Sequence, residues 1–360
     1  MYTNFRIQNY RGFKDLELKD LTRVNLIGGK NNVGKTSLLE ALFILMNPYN
    51  PELLLRVNAH RGIRQVRFEK DNIQTPLDSL FYGFDAKNAI TLSATTTSDQ
   101  KYRFDIAIAL DSEQLEIETA SLADISQEAI SSLEFNASVP IRITDNEGNT
   151  RLARVIAEDD SVRYMIPKTK QRHPSYFFPS IVREPFQVIA ERYSKIVEVG
   201  QESLILETLK YVEPRIKSIR LLYQNGEPLL TADVGSGKQI PLTYMGDGLN
   251  RLLQFILAIG NANGGIVFID EIENGLHYSV LIDTWIAIQK AAELFDTQIV
   301  TTTHSLEMIR AAQQAFAHTG EDDFRYYRID RHPETGDPLA VKYAPETIDF
   351  AVEMNYEVRG

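Results

Sequence analysis

The sequence predicts an α/β fold: a mostly parallel core sheet, an N-terminal antiparallel β unit and an inserted region of mixed α/β character. Three observations predict it. Strand-like and helix-like segments alternate in the first and last thirds of the chain. The stretch Ile266 to Ile269 is apolar throughout, as strands covered on both faces are. The middle third changes to short alternating segments broken by polar turns, the pattern of antiparallel hairpins.

In order along the chain, Phe5 and Ile7, then Leu16 and Leu18, repeat at period two and read as two short strands. Val24 to Ile27 forms an apolar strand ended by Gly28 and Gly29. From Ser37 the chain reads SLLEALFILM, apolar on nearly every side, and stops at Asn47-Pro48, which predicts a buried helix closed by proline. Alternation follows at Ala89 to Ala94, Tyr102 to Leu110, Leu115 to Thr119 and Ile141 to Thr144, and a helical stretch at Pro185 to Leu209. Leu249, Leu252, Leu253, Ile256 and Leu257 share one helical face, and so do Leu281, Trp285, Ile288 and Ala292, while Ile299-Val300 begin another strand. The expected organisation is a core in two halves, 1–55 and 215–345, an insertion at 56–214 and a tail at 346–360.

Composition narrows the function classes. The 360 residues are 43% hydrophobic and 24% charged, ordinary for a soluble globular chain of one elaborated domain or two. A net charge of −11 argues against a general nucleic-acid coat, though local basic patches remain compatible with it. The absence of cysteine excludes disulfide scaffolds, thiolate metal sites and thiol catalysis. No apolar run approaches the roughly 20 residues that span a bilayer. The first residues lack the apolar core of a signal peptide, so a cytoplasmic protein with no membrane contact is expected.

Three segments carry chemistry. Gly29 to Thr36, GKNNVGKT, fits G-x-x-x-x-G-K-[ST] between an expected strand and an expected helix. Its glycines let backbone amides turn toward phosphates, Lys35 supplies a cation and the Thr36 hydroxyl can ligate Mg2+. In GIVFIDEIENGLH an apolar strand ends in Asp270-Glu271, where one carboxylate can hold a metal and the next polarise water. In QIVTTTHS another strand runs into His304, which can contact a terminal phosphate.

The order NYRGFKDLEL, GKNNVGKT, MGDGLNR, FIDEIENGLH, TTTHS resembles the ABC-type ATPases of the RecF/SMC and overcoming-lysogenization-defect (OLD) group, in the branch called AAA15 or AAA21. The resemblance runs in order along nearly the whole chain, with 90–180 similar only in character. It implies a P-loop NTPase fold of the ABC type, with ATP and Mg2+ as ligands. Gly29, Asn31, Asn32, Val33, Gly34, Lys35, Thr36 and Ser37 would bind nucleotide, and Arg11 would approach it. Thr36 and Asp270 would hold the metal, Glu271 would be the catalytic base and His304 the switch histidine. Asn274, Gly275 and His277 would form the D-loop. Gly246, Asp247, Gly248 and Arg251 would act in trans as the signature, with Met245 where the group has a serine. Asp247 would repel a phosphate unless it turns to its own helix N-terminus, where a carboxylate is favoured. Gln187 is the candidate for a Q-loop glutamine.

The resemblance further implies a homodimer or higher even oligomer closed around ATP, serving as a switch or scaffold for a separately encoded effector, a nuclease or toxin, in anti-phage defence or a toxin–antitoxin pair. The stretch between Lys35 and Asp270 is too short for an SMC-like coiled coil, and that after His304 too short for a TOPRIM nuclease. A RecF-like DNA-repair ATPase and an ATP-gated scaffold that does not hydrolyse are the alternatives. Two basic groups, Arg56, Arg61, Arg64, Arg67 and Lys70, then Lys168, Lys170, Arg172 and His173, are either solvated faces with local salt bridges or contacts for DNA or a partner. The spacing of 61, 64 and 67 would align them on one helix face.

Overall fold

The computed structural model describes residues 1–62, 77–108, 138–157, 162–169, 173–180, 184–317 and 323–343. The expected strand at Leu115 to Thr119, the basic residues Arg64, Arg67, Lys70, Lys170 and Arg172, and the tail at 346–360 lie outside the described residues.

The chain opens with strands β1 (Tyr2–Tyr10), β2 (Phe13–Leu18) and β3 (Val24–Gly29), then helices α1 (Lys35–Met46) and α2 (Glu52–Ala59). Strands β4 (Ile90–Thr96), β5 (Lys101–Ile108), β6 (Ser138–Asp145), β7 (Thr150–Ala157), β8 (Val162–Met165) and β9 (Ser175–Phe178) follow. Next come α3 (Phe186–Glu198), α4 (Glu202–Leu209), β10 (Ser218–Gln224), β11 (Glu227–Asp233) and β12 (Ile240–Pro241). The last part holds α5 (Asp247–Asn261), β13 (Ile266–Ile269), α6 (Leu281–Leu294), β14 (Gln298–Thr302), α7 (Leu306–Phe316), β15 (Phe324–Arg331) and β16 (Pro338–Tyr343).

The core sheet has the order β16-β15-β3-β14-β13-β9, parallel except for the edge strand β16. Its side chains divide at period two. Ile266 and Phe268 face one apolar cluster with α1, and Val267 and Ile269 face another with α5, α6 and α7. Burial on both faces is why these strands read as unbroken apolar runs. Helix α1 is buried on nearly every side because it lies between this sheet and a second, antiparallel sheet of order β2-β1-β4-β5-β6-β7-β8. The N-terminal hairpin and the hairpins of the middle third therefore form one sheet. A third sheet, β10-β11-β12, packs on α3.

Two sequence expectations change. β9 falls within 56–214, yet it pairs in register with β13 and completes the core sheet. The helical stretch near Pro185 to Leu209 is two helices, because Gly200 takes φ 70 between them. That left-handed geometry is free for glycine and ends a helix.

Candidate functional site

The loop between β3 and α1 wraps an open cavity of about 780 Å³. Gly29 (φ 137), Asn32 (φ 65) and Gly34 (φ 105) place its backbone in the left-handed region. Both glycines are also required by contact: a Cβ at Gly29 would meet the Ile329 carbonyl oxygen at 2.6 Å, and one at Gly34 would meet the Phe13 ring at 2.7 Å. Asn31, Asn32, Val33, Gly34, Lys35, Thr36 and Ser37 line the cavity, which opens at the N-terminus of α1. Helix N-termini with free amides of this kind attract anions. Lys35 Nζ donates to the carbonyls of Gly29 (2.6 Å) and Lys30 (2.9 Å), and burial pushes its pKa down while Glu271 and Asp270 pull it up.

The carboxylates arrive from the end of β13. Thr36 Oγ1 donates to Asp270 Oδ2 at 2.9 Å, joining the loop to that strand, and Thr302 Oγ1 donates to Asp270 Oδ1 at 2.6 Å. Ser180, just past β9, is a further hydrogen-bond partner of Asp270. Burial raises the Asp270 carboxyl above its ordinary range, against the hydrogen bonds from Thr302 and Thr36. A buried carboxylate beside a hydroxyl is a hard-oxygen donor set suited to Mg2+, which is held by one or two carboxylates together with substrate phosphates. The residues fit that ion: Thr36 and Asp270 would hold it, and it would neutralise phosphate charge.

Glu271 is a non-glycine residue at φ 48, pinned by its N–H to Thr302 Oγ1 (2.9 Å) and by Asn274 Nδ2 donating to its Oε2 (2.9 Å). His304 Nδ1 lies 3.6 Å from Glu271 Oε1 and 3.1 Å from Glu273 Oε1, and the His304 N–H donates to the same Glu273 oxygen at 2.8 Å. Glu271 and His304 thus meet on one wall.

A further part of the wall is built on Glu40, a fully buried carboxylate of α1. Arg11 Nε lies 2.9 Å from its Oε2, and Arg61 Nε lies 2.9 Å from its Oε1. Arg61 Nη2 also donates to Ser37 Oγ at 2.9 Å. Both arginines line the cavity. Arg61 was expected on a helix face with Arg64 and Arg67, but α2 ends at Ala59 and Arg61 folds back onto α1. Arg56 sits in the last turn of α2, and the His173 ring packs edge-on to Tyr2.

Several expected residues lie elsewhere. Gly246 (φ 107), Asp247, Gly248 and Arg251 begin α5, and Asn274, Gly275 and His277 follow Glu271, but none of these lines the cavity. The two segments pack on each other: a Cβ at Gly248 would meet the Gly275 carbonyl oxygen at 3.1 Å. Asp247 occupies the first turn of α5, where its charge suits the helix dipole. His277 caps the short turn at Tyr278–Val280, accepting from the Ser279 N–H. Gln187 is corrected: it sits on α3, bonds Glu227 and is outside the cavity, while Ser180 is the residue from past β9 that reaches Asp270. The sequence did not single out Glu40, Ser180, Glu273 and Thr302 as site residues, although Glu273 lies within FIDEIENGLH and Thr302 within TTTHS. It also missed the wall at Ser79, Phe81, Gly83 and Phe84.

Residues 24–310 match the AAA_21 family, described as "AAA domain, putative AbiEii toxin, Type IV TA system". An "ATP/GTP phosphatase" of Helicobacter pylori is 27% identical over 355 residues, covering 91% of this chain and 90% of the relative. The DNA replication and repair protein RecF of Bacillus cytotoxicus is 32% identical over 81 residues, 21% of this chain and 22% of RecF. Among solved structures, an SMC head bound to the C-terminal winged-helix domain of ScpA aligns at TM-score 0.48 and 11% identity over 95% of this chain and 97% of that one. The match over 24–310 takes in the phosphate loop, both carboxylates and His304, and on it the chain belongs to this AAA family.

Proposed function

We propose that the chain binds Mg2+-ATP in the cavity at the head of α1 and hydrolyses it, with Glu271 polarising the attacking water and His304 contacting the terminal phosphate. The observation that carries this reading is the Thr36–Asp270–Thr302 junction, which brings the phosphate loop, β13 and β14 to one point. Lys35 and the loop amides would orient the phosphates, and Mg2+ would neutralise charge as the bond to the leaving group breaks. The relative named for ATP and GTP phosphatase activity, matched along most of its length, supports turnover over a scaffold that never hydrolyses.

The second part of the proposal is a composite site. Gly246, Gly248 and Arg251 of one copy would complete the cavity of another, so that ATP closes a homodimer or higher even oligomer and hydrolysis opens it. The family description, "putative AbiEii toxin, Type IV TA system", supports a place in a toxin–antitoxin pair. A switch or scaffold acting on a separately encoded toxin or nuclease, in such a pair or in anti-phage defence, is our extension of it. The RecF match supports the rival role in DNA repair, for which turnover would rise on adding duplex or single-stranded DNA.

Single-turnover hydrolysis tests the core claim. Glu271→Gln should bind ATP and lose general-base assistance, slowing the step about 100-fold or more. Equal, near-zero rates in wild type and Glu271→Gln would remove the enzymatic reading and leave the ATP-gated scaffold.

A further inference from the structure

Two chemically different groups of residues line the cavity, and Asp270, Glu271 and His304 form one. The other is the wall around Phe84, fixed to the β1–β2 turn by the Arg11 N–H donating to the Leu80 carbonyl (2.7 Å) and by a Tyr10–Phe81 bridge. Thr36 is bonded to Asp270 of the first group, whereas Ser37, the next residue of α1, is bonded to Arg61, which shares Glu40 with Arg11. A nucleotide with its terminal phosphate at Asp270, as proposed above, therefore extends its nucleoside toward the Phe84 wall.

Phe84 is out of keeping with an ordinary surface turn. It is 70% exposed, and its backbone sits at φ 60 directly after Gly83 at φ 64. Glycine takes that geometry freely, but a bulky residue there is strained, and such strain gathers at ligand clamps. Burial of the ring within the chain does not offset the strain, because the ring is exposed. A flat ligand face laid against it would.

We propose that Phe84 is the platform on which the nucleobase stacks, and that the site reads a purine by its face more than by its edge. The inference rests on the ATP site proposed above. Near Phe84 the wall offers the apolar Phe81 and the bare backbones of Gly12 and Gly83, while Ser79 Oγ already donates to Asn58 Oδ1 at 3.3 Å. Stacking accepts any base with a wide enough π-face, so ATP and GTP bind alike and both outcompete the smaller-faced CTP.

The test is equilibrium binding of ATP, GTP, CTP and inorganic tripolyphosphate, with Mg2+, to the full chain and to Phe84→Ala and Phe84→Trp. Phe84→Ala should weaken ATP and GTP about 5- to 150-fold and leave tripolyphosphate unchanged. Phe84→Trp should restore affinity. The sole tryptophan of the chain, Trp285, is fully buried, so the new indole should report ATP and GTP, but not tripolyphosphate, by quenching. Retention of wild-type ATP affinity in Phe84→Ala, or equal loss of ATP and tripolyphosphate, would overturn the platform. If wild type binds tripolyphosphate as tightly as ATP, the platform fails while the phosphate site stands; if it binds neither, the ATP reading itself fails.

Discussion

Glu40 shows how much of the site rests on one buried charge. Burial pushes its carboxyl up, Arg11 and Arg61 pull it back, and both guanidiniums owe their place on the cavity wall to it. Removing one partner of a buried pair leaves the other charge uncompensated, which typically costs about 3–5 kcal/mol. Glu40→Ala should therefore lower unfolding free energy by about 3 kcal/mol, somewhat less than the full penalty because Arg61 can turn to solvent, and it should weaken ATP binding as well. Asp15→Ala, which breaks the surface pair with Arg6, should change stability by less than about 1 kcal/mol. Denaturant titration of both variants checks the contrast, and equal effects would mean that Glu40 does not organise the wall. Nothing in SLLEALFILM marked Glu40, since a single acidic residue in an apolar helix reads as its one solvated position. The phosphate loop was legible because its chemistry is contiguous in sequence. Arg61 and Ser180 were not, because only packing between distant segments brings Arg61 to the cavity and Ser180 to Asp270.

The elements themselves were legible where periodicity is strong and hidden where pairing decides. Apolar strands β3, β13 and β14 and the helices α1 and α6 could be read from spacing, whereas α7, which follows β14, was not. β9 could not: SYFF is short, and only its alignment with β13 makes it a core strand. That alignment depends on Gly265, whose N–H donates to the Ala262 carbonyl and whose missing side chain lets Pro174 approach. A Cβ there would lie 2.0 Å from the Pro174 carbonyl oxygen and 2.9 Å from that of Ala262, and neither backbone atom can swing aside as a side chain would. Gly265→Ala should cost about 1–3 kcal/mol through this overpacking. Because β9 leads to Ser180, the same variant should also weaken Mg2+-dependent nucleotide binding, measured by titration at a temperature where the variant is fully folded. Unchanged stability would show that the β9–β13 pairing tolerates a shift in register.

At the scale of the whole molecule, the two halves of a proposed composite site are both present in one chain and do not meet in it. The cavity is lined without the Gly246–Gly248 turn, and that turn is packed against the chain's own Gly275. The turn and the segment after Glu271 therefore make one continuous surface, edged by Tyr244, 82% exposed, and Tyr278, 75% exposed. In the proposed dimer these tyrosines would serve as interface anchors, since each brings a large rigid face and a polar tip. The net charge of −11 opposes the approach of two copies at long range, so in the proposed dimer contacts of this kind and bound nucleotide would have to supply the attraction. Glu271→Gln, which should trap ATP, is expected to sediment as a dimer with Mg2+-ATP and as a monomer without it. Adding Tyr244→Glu in that background places a carboxylate in the interface and should weaken dimerisation about 30-fold or more. At protein concentrations where only monomer is present, ATP should still bind. Tyr244 lies in a short exposed turn, so the fold should be untouched, and an unchanged melting temperature would verify this. A double variant that dimerises as tightly as Glu271→Gln alone would remove this surface from the ATP-closed contact.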